Sequence, residues 1–289
     1  MDGVNGMCYE HSVSEGVVVA TAVQRIIKSL EAIYENSMKI VAREAKYTKM
    51  KFSLSEQLKG KIRKAATHLN TLNNDTDVEV LFFRDFGKIF MKACKCSPDA
   101  FVQMSLQLAY YTIYKKLCPT YESASTRRFH WGRVDAIRAS HSEALAWVKS
   151  MKDSKSKQER LNLFISAMVK QTQIMTENIF GEGMDIALLG IRKAAEHLWP
   201  EETLPIFADP AFHRANKFNL STSQMTIDLK QSYMGYGAVL PDGYCVSYNL
   251  QNDEIIFAIC SFFSCESTSS RWFANSLSAS LKDMRDLFD

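Results

Sequence analysis

Short β-rich runs alternate along this chain with long stretches of helical spacing, an order that restricts it to folds in which strands from distant parts of the sequence meet. Val78 to Phe83 reads as a short buried strand. Between Gln231 and Phe263 the texture turns to Tyr, Val, Ile and Phe, with Pro241-Asp242-Gly243 as the turn between two strands. Helical patterns surround both. Ile26, Ile27, Leu30, Ile33 and Tyr34 recur at helical spacing, residues 36 to 52 read as a connection, and Ser53 with Glu56 forms a capping-box pattern before Leu58, Ile62 and Leu69. Ser97, Pro98 and Asp99 supply an N-cap, a proline at N1 and an acidic first turn to a helix running to about Leu117. Ser140 and Glu143 open a short helix, and two more patterns cover residues 156 to 179 and 183 to 199, the second stopped by Pro200. Trp272, Phe273, Leu277, Leu281 and Met284 form one stripe of a last helix. The expected fold class is α/β.

With 289 residues, 46% of them hydrophobic, the chain can bury a sizeable core. A net charge of +3 is too small to imply a nucleic-acid surface, so no nucleic-acid partner is expected. Seven cysteines without a repeated spacing argue against a secreted disulfide framework. Cys94 and Cys96 form a C-x-C pair with no second Cys/His pair beside it, so no metal site is expected. No run approaches the roughly 18 to 20 apolar residues that cross a bilayer. The opening MDGVNGMCYEHS has neither a basic n-region nor an apolar h-region. The cytoplasm is the expected compartment.

Among the six histidines, His68, His141, His197 and His213 read as ordinary core or surface residues. His11 differs in setting. It precedes the small-residue segment Ser12 to Gly16 and the apolar run Val17 to Ala20, as a residue on a loop entering a buried element would. A neutral imidazole there can deprotonate an alcohol or a thiol. The Ser221-Thr222-Ser223 triplet is either a hydroxyl-rich turn or strand or a donor to the oxygen of a tetrahedral intermediate, and spacing does not choose between them. Lys88, Lys92 and Lys95 read equally as a solvated face or as a phosphate site leading into the Ser-Pro-Asp helix start.

CYEHSVSEG, FGKIFMKACKCSPDAFVQMSLQLAYY, PTYESASTRRFHWGRVDAIR, FNLSTSQ and VLPDGY follow one another in an order that resembles the carnitine/choline acyltransferase family over nearly the whole chain. The resemblance implies a coenzyme A (CoA)-dependent acyltransferase fold similar to chloramphenicol acetyltransferase, a mixed sheet flanked by helices. It also implies a direct transfer from acetyl-CoA to a small alcohol. His11 would be the general base and Ser223 the oxyanion support. Lys88, Lys92 and Asp99 would hold the CoA phosphates and adenine, with Ser123, Ser125 and Gln224 near the cofactor. Tyr121, Val134, Ile186 and Tyr236 would line the acceptor pocket. Members of the family are about twice as long and have two similar domains. By that comparison residues 1 to 50 are the remnant of an amino-terminal domain that is largely missing, and residues 51 to 289 are the carboxy-terminal domain.

Acceptor choice turns on a few of these positions. Carnitine carries a carboxylate, and carnitine-using members supply a threonine after the GR step and an arginine before the HLLG step, where this chain has Val134 and Ile186. Neither side chain can neutralise an anion. Choline has no carboxylate, and Tyr236 offers an aromatic face to a quaternary ammonium. Choline is therefore the expected acceptor, giving acetylcholine. Carnitine is the alternative, and a CoA-binding product without turnover is another reading of so short a chain. Ile186, Ala187 and Glu15 depart from the choline pattern, and Cys245 stands where the family has glycine after PDGY.

Overall fold

The computed structural model describes residues 6–12, 14–35, 48–229 and 232–288. Two compact units divide after Thr76, Met1–Thr76 and Asp77–Asp289, whereas the family resemblance puts a domain boundary near residue 50. The first unit contains helices α1 (Gly16–Glu35) and α2 (Glu56–Asp75). Contrary to the expectation of a buried element after His11, Val17 and Val18 remain about half exposed, although Ala20 is buried. The cap of α2 is Ser55, not Ser53: its Oγ accepts a hydrogen bond from the Leu58 amide at 3.2 Å. Most of the expected connection, residues 36–47, lies outside the described residues.

The second unit is built on a six-stranded sheet. Its strands are β1 (Thr76–Phe83), β2 (Thr120–Ser125), β3 (Val134–Arg138), β4 (Leu220–Gln224), β5 (Tyr244–Leu250) and β6 (Ile255–Phe262), in the spatial order β1-β6-β5-β4-β2-β3. β2 pairs parallel with β4, and β4 parallel with β5, while the β2/β3 and β5/β6 pairs are antiparallel. The sheet is mixed. β1 lies at an edge, so it is only half buried and Val78 is exposed, where the sequence suggests a buried strand.

Helices α3 (Lys88–Ala93), α4 (Pro98–Tyr114), α5 (Ser142–Ser150), α6 (Lys157–Ile179), α7 (Asp185–Leu198), α8 (Pro205–Ala208), α9 (Pro210–Ala215) and α10 (Ser270–Arg285) complete the unit. Local side-chain caps account for several of their starts. Ser97 Oγ accepts from the Ala100 amide with Pro98 at N1, and Ser156 and Glu159 make a reciprocal capping box. α4 ends at Tyr114, earlier than expected, because Lys115 adopts a left-handed conformation that turns the chain. α5 is capped by His141 in place of Ser140: burial lowers the ring's affinity for a proton, leaving Nδ1 free to accept from the Ala144 amide at 3.1 Å.

One face of the sheet is the core. Leu220, Val246, Tyr248, Leu250, Ile255, Phe257 and Ile259 point toward α4 and α10, whose Phe101, Leu108, Phe273, Leu277 and Leu281 are fully buried. Each such side chain contributes about 1.5–3 kcal/mol by leaving water. Trp272 departs from the expected stripe and is exposed. The Pro241-Asp242-Gly243 turn leads into β5 and does not join two strands; the β5/β6 hairpin turns instead at Gln251–Glu254. Residues 232–240 are not a strand. Because β4 and β5 run parallel, the chain between them must travel back along the sheet, and it does so over the face opposite α4. This return segment borders the candidate site.

Candidate active site

Alternation along paired strands decides which candidate side chains meet. Tyr121 pairs with Ser221 across β2 and β4, and with Arg138 across β2 and β3, while Ser125 pairs with Val134. Tyr121, Ser123, Ser125, Val134 and Ser223 therefore project from the face opposite α4, together with Ser221 and Arg138. Ser123 and Ser223 lie one step beyond the paired Glu122 and Thr222, so the two hydroxyls are neighbours on that face. Gln224, the next residue, projects from the other side.

Ser223 is half-buried, and among the described residues no group hydrogen-bonds its Oγ. Ser221, by contrast, is engaged: its Oγ lies 3.3 Å from the Tyr236 hydroxyl. Burial pushes the Tyr236 phenol well above its ordinary range, so it stays neutral. Ser123 Oγ donates to the Tyr121 hydroxyl at 3.2 Å, and the Tyr121 ring packs edge-on against Phe218 at 5.5 Å. Arg138 also stacks over Phe218, at 4.9 Å, and is committed: Nε and Nη2 donate to the two carboxylate oxygens of Asp185, and Nη1 donates to the Ala215 carbonyl at 2.6 Å. Ile186, next to Asp185, is exposed at the start of α7.

The opposite face holds a polar network that sequence reasoning misses. Gln103, fully buried on α4, donates through Nε2 to Thr222 Oγ1 and to the Tyr248 hydroxyl, both at 3.0 Å. Thr222 Oγ1 donates in turn to the Tyr121 carbonyl at 2.8 Å, tying the middle of the Ser-Thr-Ser run to β2. Tyr248 donates to Asp99 at 2.6 Å, and Gln171 of α6 donates to Glu122 at 2.9 Å. The Asp99 side chain is thus turned inward toward Tyr248 and Glu122. The one sequence signal of this network is the glutamine pair Gln103 and Gln107, four residues apart in an otherwise apolar helix.

Burial, and then the Asp99 carboxylate, raise Glu122 well above the ordinary carboxyl range, so this side chain folds protonated. The folded state then binds a proton that the unfolded chain releases once pH passes 4.5, the ordinary value. The stability contributed by this group is fully present below pH 4.5 and is lost as pH rises toward the folded value. Glu122→Gln is expected to remove that loss. Melting temperature measured from pH 5 to 8 should fall less in the variant than in the parent; parallel curves would contradict the protonated assignment.

Lys88 and Lys92 lie on α3, which is docked through the Lys88 and Ile89 amides onto the carbonyls of Gln251 and Asn252 in the β5/β6 turn. Gly87 permits that approach, since a Cβ there would sit 2.7 Å from Asn252 backbone atoms. Lys88 is half-buried and Lys92 exposed, and among the described residues neither ammonium is ion-paired. Both remain available to an anion.

His11 belongs to the first unit. It precedes α1 with its ring 5.6 Å from Tyr9, and its Nε2 lies 3.9 Å from the carboxylate of Glu15, four residues on. In the sequence Glu15 stands out only as a departure in pattern, whereas the geometry makes it a charge facing the imidazole. Hydrogen bonds from the Ser12 hydroxyl and amide hold the neighbouring Glu10 carboxyl below its ordinary range.

The model of the choline/carnitine O-acyltransferase family matches residues 1–279. The chain belongs to this family. It is 38% identical over 311 residues to the choline O-acetyltransferase of Drosophila melanogaster, covering 99% of this chain and 43% of that protein. It is equally 38% identical over 292 residues to the carnitine O-acetyltransferase of Rattus norvegicus, covering 99% and 45%. The chain thus spans less than half the length of the curated relatives it matches. Among solved structures a chloramphenicol acetyltransferase aligns with a TM-score of 0.41 at 9% identity, covering 74% of this chain and 94% of that one. No helix among the described residues is long and apolar enough to cross a membrane.

Proposed function

We propose that the chain transfers an acetyl group from acetyl-CoA to the hydroxyl of choline in the cytoplasm. The observation that carries this reading is the half-buried Ser223 hydroxyl, uncommitted among the described residues, on the sheet face that also presents Tyr121, Ser123, Ser125 and Val134. His11 removes the choline hydroxyl proton, and the alkoxide attacks the thioester carbonyl. Ser223 donates to the resulting oxyanion. Collapse breaks the carbon–sulfur bond, and the protonated His11 returns its proton to the CoA thiolate.

Lys88 and Lys92 hold the CoA phosphates, for which two unpaired ammonium groups are suited. Ser123, Ser125 and Gln224 complete the cofactor contacts, with Asp99 at the start of α4, one of whose oxygens already accepts from the Tyr248 hydroxyl. Tyr121 and Tyr236 present aromatic faces to the quaternary ammonium, with Val134 and Ile186 beside them. Arg138 supports choline over carnitine, since Asp185 already neutralises this guanidinium of the acceptor face. A carnitine carboxylate would have to compete with Asp185 for this guanidinium or forgo it, at a cost of about 1–3 kcal/mol. CoA thiol release should therefore show a kcat/KM for choline at least about tenfold above that for carnitine. Equal values, or a preference for carnitine, would overturn the choice of acceptor.

A further inference from the structure

The return segment between β4 and β5 is fastened by the outward-facing side chains of β5, one after another. Asn249 Nδ2 donates to the Ser232 carbonyl at 3.1 Å, Ser247 Oγ donates to the Met234 carbonyl, and Cys245 lies against the Tyr236 hydroxyl and the Val239 amide. Residues 245, 247 and 249 alternate outward along the strand while the segment runs the opposite way above them. Its start is also held by the Met225 amide, which donates to the Tyr248 carbonyl at 3.0 Å. Cys245 is 1% exposed and directly opposite Ser221 in the β4/β5 register, so its thiol, the Ser221 hydroxyl and the Tyr236 hydroxyl lie together on this face of the sheet.

We propose that Cys245 is a positioning residue that sets the size of the cationic head group the acceptor pocket admits, by seating the Tyr236 hydroxyl on Ser221. The inference rests on the acetyl-transfer reading above, in which Tyr236 faces a quaternary ammonium. A side chain at 245 fills the floor that a glycine, the residue expected there from the family pattern, would leave open. With the thiol present, the phenol has a second polar neighbour besides Ser221, and its ring is held at one height over the sheet. Without it, the hydroxyl can sink toward the vacated volume, and the ring no longer limits the head group above it.

The test uses the full chain with Cys245→Gly and Cys245→Ser, and calorimetric binding of choline and of its bulkier homologue triethyl(2-hydroxyethyl)ammonium. The parent and the serine variant should bind choline at least about tenfold tighter than the homologue, a difference of about 1.4 kcal/mol. The glycine variant should narrow that ratio to about threefold or less, with the change in choline turnover confined to KM and kcat within about threefold. Tyr236→Phe, which keeps β5 intact, should narrow the binding ratio in the same way and guards against a folding defect in the glycine variant. An unchanged ratio in both Cys245→Gly and Tyr236→Phe overturns the inference. Binding is read without acetyl-CoA, so a chain that binds choline with the predicted ratios yet never releases thiol overturns the acetyl-transfer reading alone.

Discussion

His11→Ala is expected to lower choline-dependent thiol release from acetyl-CoA by about 10²–10⁴-fold, the range lost when a positioned general base is removed. Solvent can accept the alcohol proton only after the alkoxide has largely formed, which restores most of the uncatalysed barrier. The loss should lie in turnover. The His11 side chain is 59% exposed, so the melting temperature and the circular dichroism spectrum should stay close to those of the parent. The proposed role also requires that choline and CoA bind the variant nearly as well as the parent, because neither affinity depends on proton removal. A variant retaining more than about a tenth of the parent rate would remove His11 from the mechanism.

Ser223→Ala is expected to lower kcat by about 10²–10³-fold, the effect of deleting one oxyanion donor, while KM for choline stays within about threefold. The asymmetry follows from when the hydrogen bond forms. In the resting protein the Ser223 hydroxyl has no partner among the described residues, so its removal breaks nothing and should leave stability unchanged. Ser221, two residues earlier on the same face, already faces the Tyr236 hydroxyl. Ser221→Ala should act on acceptor binding, where Ser223→Ala acts on turnover. Steady-state kinetics on both variants separate the two hydroxyls, and a Ser223→Ala loss confined to KM would contradict the assignment.

How much of the fold and of the candidate site is legible in the sequence depends on whether the cause is local. Ser97 with Pro98, and Ser156 with Glu159, announce their helices because a cap is a bond between residues three apart. The same logic misplaces two caps by one or two positions, since Ser53 and Ser55 offer equivalent oxygens and His141 caps with a ring nitrogen. β2, β3 and β4 are harder to see. Their polar residues, Ser123, Ser125, Ser221 and Ser223, break the apolar pattern that marks a strand, because one face of this sheet is a site floor and not a core. The motifs carry the names of the candidate residues, but their sharing of one face follows from the parallel pairing of β2 with β4 over a separation of about a hundred residues, which no local pattern encodes. Gln103, Glu122 and Gln171 escape a sequence reading for the same reason: their partners come from three distant segments.

The most direct test of acetyl transfer follows a labelled acetyl group from acetyl-CoA into acetylcholine, using the purified 289-residue chain beside its His11→Ala variant. Labelled acetylcholine formed by the parent and lost in the variant is the predicted result. A parent chain that binds acetyl-CoA and choline yet leaves all the label on CoA would contradict it.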